Sequence, residues 1–349
     1  MKHLKFWVGL IISVLAVWFA VQGIEFGKVG EAFSKLNWWL LALSMIPYFI
    51  SLLLKVTRWQ LLFHPGPKIP LRRLWATLMI SYLFNTVLPA RLGEIVRGYT
   101  LSKSEKIGTV RVLSTILLEK ILDVMTMFVF LVFLLPFLDL PKDLKQPAIF
   151  SGVLMVTAFV ICILMAKFRK QAESVVQWFL RFLPAKLRPK IFGLVEEVLD
   201  VLSVLLNLKL SFNIAAQSVM LWLLTVVNYM LTAFALNIPL TFELAMVLMI
   251  ALNLGMVVPS APGYIGVFES LVIVALLPFF PDQKSMLFNL GLLLHIIGYL
   301  PVIVLGAYYT WREGISFGNV PKEEELEKIA PAAPIPVINE KETPSIKRW

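Results

Sequence analysis

Three groups of ionisable and small residues interrupt an otherwise apolar chain. Arg91, Glu94 and Arg97 recur every three residues, so one helical face can present all three. Arginine carries a planar fork that grips a phosphate through two parallel hydrogen bonds. Glu119 and Asp123 stand four apart and share a helical face, while Lys120 points elsewhere, towards headgroups. The third group is Ser260, Gly263, Tyr264, Gly266 and Glu269, where small residues let backbone amides approach a ligand. The chemistry implied is charge-balanced binding of a polar group: arginines meet a phosphate, and carboxylates balance charge or meet a cation. Each group also has a plainer reading. The arginines fit a basic loop, Glu119 and Asp123 fit ion pairs between helices, and Pro262–Gly266 fits a tight turn.

Nothing points to catalysis. No nucleophile–base pair stands at a recognisable spacing. His3, His64 and His295 are far apart and lack metal-ligand spacing; His295 reads as a hydrogen-bonded residue within a helix bundle. No Walker-type phosphate loop occurs, and the single cysteine, Cys162, lies in an apolar run. The chain is therefore not expected to be an enzyme, and no cofactor or metal is expected.

Two of the groups sit on matched breaks. Pro89 is followed by Gly93, and Pro259 by Gly263, each after an apolar run too short to cross and return. Proline and glycine release backbone groups from the helical ladder, and lipid cannot satisfy them. Such breaks survive inside protein or around a cavity. A matched pair, one in each half, is a pointer to a transporter's central site. Asn85 and Asn253 precede the two breaks and are placed to cap the freed groups, with Asn85 also a candidate for the site.

These segments need a membrane around them. Of 349 residues, 59% are hydrophobic and 15% charged, against about a quarter charged in soluble domains. Apolar runs near 5–22, 38–57, 111–136, 148–166, 212–236 and 285–311 are long enough for tilted spans. The broken segments lie near 72–101 and 242–280. The net charge of +10 marks a cytoplasmic membrane face rather than nucleic-acid binding. Basic residues concentrate around Lys55–Arg73, Arg91–Arg111 and Lys167–Lys190, which predicts a multi-pass inner-membrane protein with both termini in the cytoplasm.

The expected fold is an all-α polytopic membrane protein of two inverted-topology halves, each three spans plus one re-entrant broken helix. Pro89 and Pro259 are separated by 170 positions, and an odd number of spans per half inverts the second copy. The first membrane repeat covers 1–136 and the second 137–311, with a cytoplasmic insertion at 168–209 and a disordered cytoplasmic tail at 312–349. In the insertion, Ile191, Leu194, Val195, Val198, Leu199 and Leu202 form one amphipathic stripe, read as an anchor in the membrane interface.

Three motifs together resemble a known family. They are Asn85-x-x-Leu88-Pro89-x-Arg91-x-Gly93-Glu94-x-x-Arg97, Leu118-Glu119-Lys120-x-x-Asp123, and Pro259-Ser260-x-Pro262-Gly263-x-x-Gly266-x-x-Glu269. They look like the lysylphosphatidylglycerol synthase transmembrane region, over roughly residues 5–315. Lys120 departs mildly, standing where arginine is common, and keeps the charge. The resemblance implies a flippase-like fold with two re-entrant helices facing each other. In relatives that make aminoacylated lipid, a similar region is joined to a soluble transferase. The polar stretch after the last span is shorter than a domain of about 50 residues, so lipid aminoacylation by this chain is not expected.

The resulting expectation is a membrane lipid transporter or flippase. A phosphate-containing headgroup would enter a cavity between the breaks, bounded by Asn85, Pro89, Arg91, Gly93, Glu94, Arg97, Glu119, Asp123, Ser260, Gly263, Tyr264, Gly266 and Glu269. Two alternatives stay open: a non-catalytic membrane partner of a lipid synthase or glycosyltransferase, and an enzyme acting on a lipid-linked substrate. Under the transporter reading, removing Arg91 takes away a charged hydrogen bond worth roughly 1.5–3 kcal/mol. Lipid retained by the purified protein should then bind about tenfold or more weakly, and Arg91→Lys should restore only part of the loss. Equal retention by Arg91→Ala and the parent chain would assign Arg91 to the basic loop.

Overall fold

Capping residues set the helix starts. The Asn37 side chain accepts from the backbone N–H groups of Trp39 and Leu40, and opens a 24-residue helix. Asn207 accepts from the Leu210 N–H and opens a 28-residue helix. Thr241 caps a third start through the Leu244 N–H. The structure is a computed structural model that describes residues 2–88, 92–134, 136, 153, 157, 160–182, 184, 187–256 and 260–315, with side chains omitted at 2–10, 26, 28 and 190. The expectations on Pro89, Arg91 and Pro259, on most of the 148–166 run, and on the tail beyond residue 315 lie outside the described residues.

The described residues are helical throughout, with no strand. The helices are α1 (Lys2–Val21), α2 (Phe26–Ser34), α3 (Trp38–Leu61), α4 (Leu71–Val87), α5 (Gly93–Glu105) and α6 (Thr109–Leu134). They continue with α7 (Arg169–Leu180), α8 (Arg188–Leu202), α9 (Leu208–Ala235), α10 (Phe242–Gly255), α11 (Val267–Leu276) and α12 (Lys284–Arg312). Short 3₁₀ turns cover Ser203–Leu206 and Pro262–Tyr264. Among the described residues, α3, α9 and α12 are long and apolar enough to cross a membrane. Helix α6 is 26 residues long but carries Arg111, Glu119, Lys120 and Asp123.

A sequence of long, short, short and long helices occurs twice, as α3–α6 and as α9–α12. The short members are 17, 13, 14 and 10 residues. At about 1.5 Å per residue, the longest of them spans about 25 Å, less than a hydrocarbon core of about 30 Å. The breaks therefore separate α4 from α5 and α10 from α11.

Two apolar cores lie side by side. One joins α3, α4, α5 and α8 through Leu52, Leu78, Leu101 and Leu202. The other joins α9, α10, α11 and α12 through Val226, Met249, Ile273 and Leu290. Helix α6 belongs to both: Val112 and Ile116 enter the first, Met127 and Phe130 the second. Polar contacts add to the α3–α9 packing, with Asn228 Nδ2 donating to the Ser44 carbonyl at 2.8 Å and Thr57 Oγ1 to Gln217 Oε1 at 2.7 Å. Helices α4 and α12 meet backbone to backbone at Gly306, where an added Cβ would stand 2.5 Å from the Met79 carbonyl oxygen.

The insertion is arranged differently from the expectation. Val195, Val198, Leu199 and Leu202 of the stripe pack into the first core with α6, so protein rather than membrane interface covers that part of it. The exposed apolar face belongs instead to α7 and the turn after it, where Trp178, Phe179 and Phe182 stack edge to face. Arg169 pairs with Glu173 and Asp200, which ties α7 to α8.

The close approaches predict which glycines the fold needs. An added methyl at Gly93 strikes the Ser81 carbonyl and Asn85, and at Gly306 the Met79 carbonyl, whereas Gly193 in α8 has open space. Overpacking costs roughly 1–3 kcal/mol, while a helical glycine replaced without a clash gains up to about 1 kcal/mol. Gly93→Ala and Gly306→Ala should therefore lower the melting temperature in detergent, and Gly193→Ala should hold or raise it. A Gly306→Ala protein as stable as the parent would contradict the backbone contact.

Candidate functional site

The charged residues of α6 find their partners on α3 and α5. Arg58 is fully buried, and its Nη2 donates to Asp123 Oδ1 at 2.6 Å while Nη1 donates to Ser218 Oγ at 2.8 Å. Arg97 lies 2.9 Å from Glu119 through Nη2 and 3.3 Å through Nη1, and only the longer approach has hydrogen-bond geometry. The Arg97 guanidinium stacks 3.5 Å above the Trp59 ring, and Trp59 Nε1 donates to Thr115 Oγ1 at 3.0 Å. These contacts lock α3, α5 and α6 together through groups that lipid cannot solvate.

Lys55 completes the cluster. Its Nζ stands 3.6 Å from both Glu119 and Asp123, beyond hydrogen-bond distance. Arg58 and Arg97 remain charged and balance the two carboxylates, so the Lys55 ammonium is the surplus charge. Lys120, next to Glu119 in α6, pairs with Glu94 at 2.6 Å. Lys120 thus points at the first break rather than outward to headgroups.

A cavity of about 330 Å³ opens beside this cluster. Its wall brings together Lys55, Asn85, Glu94, Lys120 and Asp123 from the first half with Asn228, Tyr229, Asn253, Tyr264 and Tyr299 from the second. Tyr48 and Tyr82 add two more hydroxyls. A larger cleft of about 470 Å³ lies at the ends of α4, α5 and α12. Its Arg73 pairs with Glu105 and Glu313 at the exposed surface, away from both breaks, so it is not the favoured site.

The sequence candidates divide between the cavity wall and its support. Asn85, Glu94, Asp123 and Tyr264 line the cavity. Arg97 and Glu119 are buried behind it as an ion pair. Gly93 backs onto Asn85. Among the described residues, Asn253 donates to the Met249 carbonyl within its own helix, and the buried Asn85 Oδ1 has no hydrogen-bond partner. Ser260 precedes a loop pinned to α1, where the Ala261 N–H donates to Ser13 Oγ at 2.7 Å.

The second break is held by Glu269. Its Oε2 accepts from the Gly266 N–H at 2.8 Å, and its Oε1 lies 2.7 Å from His295 Nδ1. His295 Nε2 lies 2.9 Å from the Gly263 carbonyl. Gly266 has φ +81°, and an added Cβ would strike Val17 of α1, so glycine is required there. His295, the bundle histidine of the sequence, is thus the partner of Glu269. Lys55 and Arg58 escaped notice because they close a long apolar helix and read as loop charges. Their place inside the helix, six and three residues before its end at Leu61, was the available signal.

A UPF0104 membrane protein of Methanothermobacter thermautotrophicus is 26% identical over 293 residues, which cover 78% of this chain and 85% of that relative. No solved structure matches. The family model described as the lysylphosphatidylglycerol synthase TM region matches residues 6–306, spanning the charged cluster, both breaks and His295. With apolar helices of membrane-crossing length and a match over most of its length, the chain is a membrane protein and belongs to the lysylphosphatidylglycerol synthase transmembrane-region family.

Proposed function

We propose that this protein translocates a lipid with a phosphate-containing headgroup between membrane leaflets. The observation that carries the reading is the surplus cation, Lys55, on the wall of a cavity between the two breaks. A phosphate oxygen there gives the ammonium the hydrogen bonds that the carboxylates, at 3.6 Å, do not supply. A cavity of about 330 Å³ has the size of a headgroup site, at the small end of the usual range of about 300–1,000 Å³. The acyl chains stay in the bilayer. Tyr48, Tyr82, Tyr229 and Tyr299 offer hydroxyls and ring faces to the headgroup.

The same reading takes α4–α5 and α10–α11 as re-entrant segments and the two halves as an inverted repeat. Their support is the repeated long, short, short, long order, and the caps Asn37 and Asn207, separated by the same 170 positions as Pro89 and Pro259. Rocking of the halves about the cavity then gives alternating access. The same reading sets the protein in the inner membrane with both termini in the cytoplasm, and the basic loops are its support. Cysteines at Lys68 and at Gln283, introduced after Cys162→Ser, should react with an impermeant reagent from opposite sides. Reaction of both from one side overturns the inverted arrangement.

Binding and folding separate at this site. Lys55→Gln should leave the protein monodisperse and weaken phospholipid binding about tenfold or more, the loss of one charged hydrogen bond. Leaflet exchange in reconstituted vesicles should fall with it. Arg58→Leu strands Asp123 in the core and should destabilise the fold by about 3–5 kcal/mol. Normal leaflet exchange by Lys55→Gln would overturn the reading and favour a partner role, checked by co-purification of a lipid synthase or glycosyltransferase.

A further inference from the structure

We propose that Glu269 and His295 form a proton-binding latch that ties the second break to α12, and that lipid movement is coupled to a proton taken up and released there. The latch follows from hydrogen-bond roles. The Gly263 carbonyl only accepts, so His295 Nε2, 2.9 Å away, carries a proton. Glu269 Oε2 accepts from the Gly266 N–H. Between His295 Nδ1 and Glu269 Oε1, 2.7 Å apart, one further proton must sit. Whether it rests on nitrogen or on oxygen, the pair is neutral overall.

Removing that proton leaves neutral imidazole facing a carboxylate, with a lone pair towards an anion and one net negative charge in a buried place. Glu269 is 5% exposed. Among the described residues, no cation other than His295 pairs with Glu269. Helix α11 carries no other ionisable residue, and α1 carries none over Ile11–Val21. The ring neighbours of the latch carry no charge: Phe268 lies against the His295 ring at 4.7 Å and Tyr299 of α12 at 4.6 Å, with Tyr264 of the break beyond Tyr299. The ionic groups of the cavity, Lys55, Glu94, Lys120 and Asp123, belong to the first half. Loss of the proton therefore loosens both the Glu269–His295 contact and the hold on Gly263. The proton leaves to water through the exposed edge of His295, and a new one returns when the pair faces the other side. His295 stacks on Phe268 and Tyr299 yet keeps 12% of its side chain exposed, which gives a path for exchange.

The coupling rests on the translocation reading above, whereas the latch does not. Two measurements separate them. In the full chain in nanodiscs, backbone hydrogen exchange over residues 260–270, corrected for its intrinsic pH dependence, should be slow near about pH 6. It should rise about tenfold or more by about pH 9. Glu269→Gln mimics the protonated acid: its carbonyl accepts from Gly266 and its amide donates to His295. Exchange should then be slow at every pH. His295→Phe keeps the aromatic stack, lacks the tie, and should exchange fast throughout. His64→Gln, in an exposed loop, should behave as the parent. A parent chain with no pH response, or Glu269→Gln with the parent's response, overturns the latch. In vesicles of phosphatidylglycerol and phosphatidylethanolamine, an imposed pH gradient should speed leaflet exchange by the parent and leave Glu269→Gln unmoved. Exchange by the parent that ignores the gradient overturns the coupling. A pH-responsive break without any lipid exchange supports the latch and rejects translocation.

Discussion

The contact between Arg58 and Asp123 governs much of the architecture. A guanidinium and a carboxylate can be held away from water only if each fills the other's hydrogen-bonding capacity. That requirement brings the end of α3 against the middle of α6, and Ser218 draws in α9. The Arg97–Glu119 pair then sets α5 against the same face of α6, with Trp59 closing the stack. The buried charged residues of the first half are thus an internal scaffold, and Lys55 stands at its edge on the cavity wall, 3.6 Å from both carboxylates.

The two halves satisfy their breaks by different means. The first has ionic side chains around it, with Glu94 on α5 answered by Lys120 on α6. The second relies on a single carboxylate that caps its own helix and reaches a histidine on the last helix. The ionic lining of the cavity therefore comes from the first half, while the break of the second half is held by one carboxylate–histidine pair.

Much of this was legible in the sequence. Helical spacing placed Glu119 and Asp123 on one face, and the proline–glycine pairs located both breaks. The long helices followed from apolar runs alone. Partners were harder to read. Arg58 and Asp123 are 65 positions apart, and no periodicity connects residues on different helices. Lys120 was misjudged because a long cationic chain in a membrane helix usually reaches for headgroups, whereas here a carboxylate on the neighbouring helix is nearer. In the insertion, the amphipathic stripe was visible, but an apolar face does not declare whether protein or lipid covers it. Helix α6 covers the stripe of α8, and the exposed aromatic face lies on α7 and the turn after it.

Gly306 has a mechanical consequence. Where two helices meet through side chains, they can slide by exchanging one set of rotamers for another. Helices α4 and α12 instead pack the Gly306 main chain against the Met79 carbonyl and the Leu83 Cβ, atoms that no change of rotamer moves. Axial slip at that point is blocked, and rolling is what remains. The first short helix of one half and the last long helix of the other are thereby pinned at one spot, as two levers on a common axle.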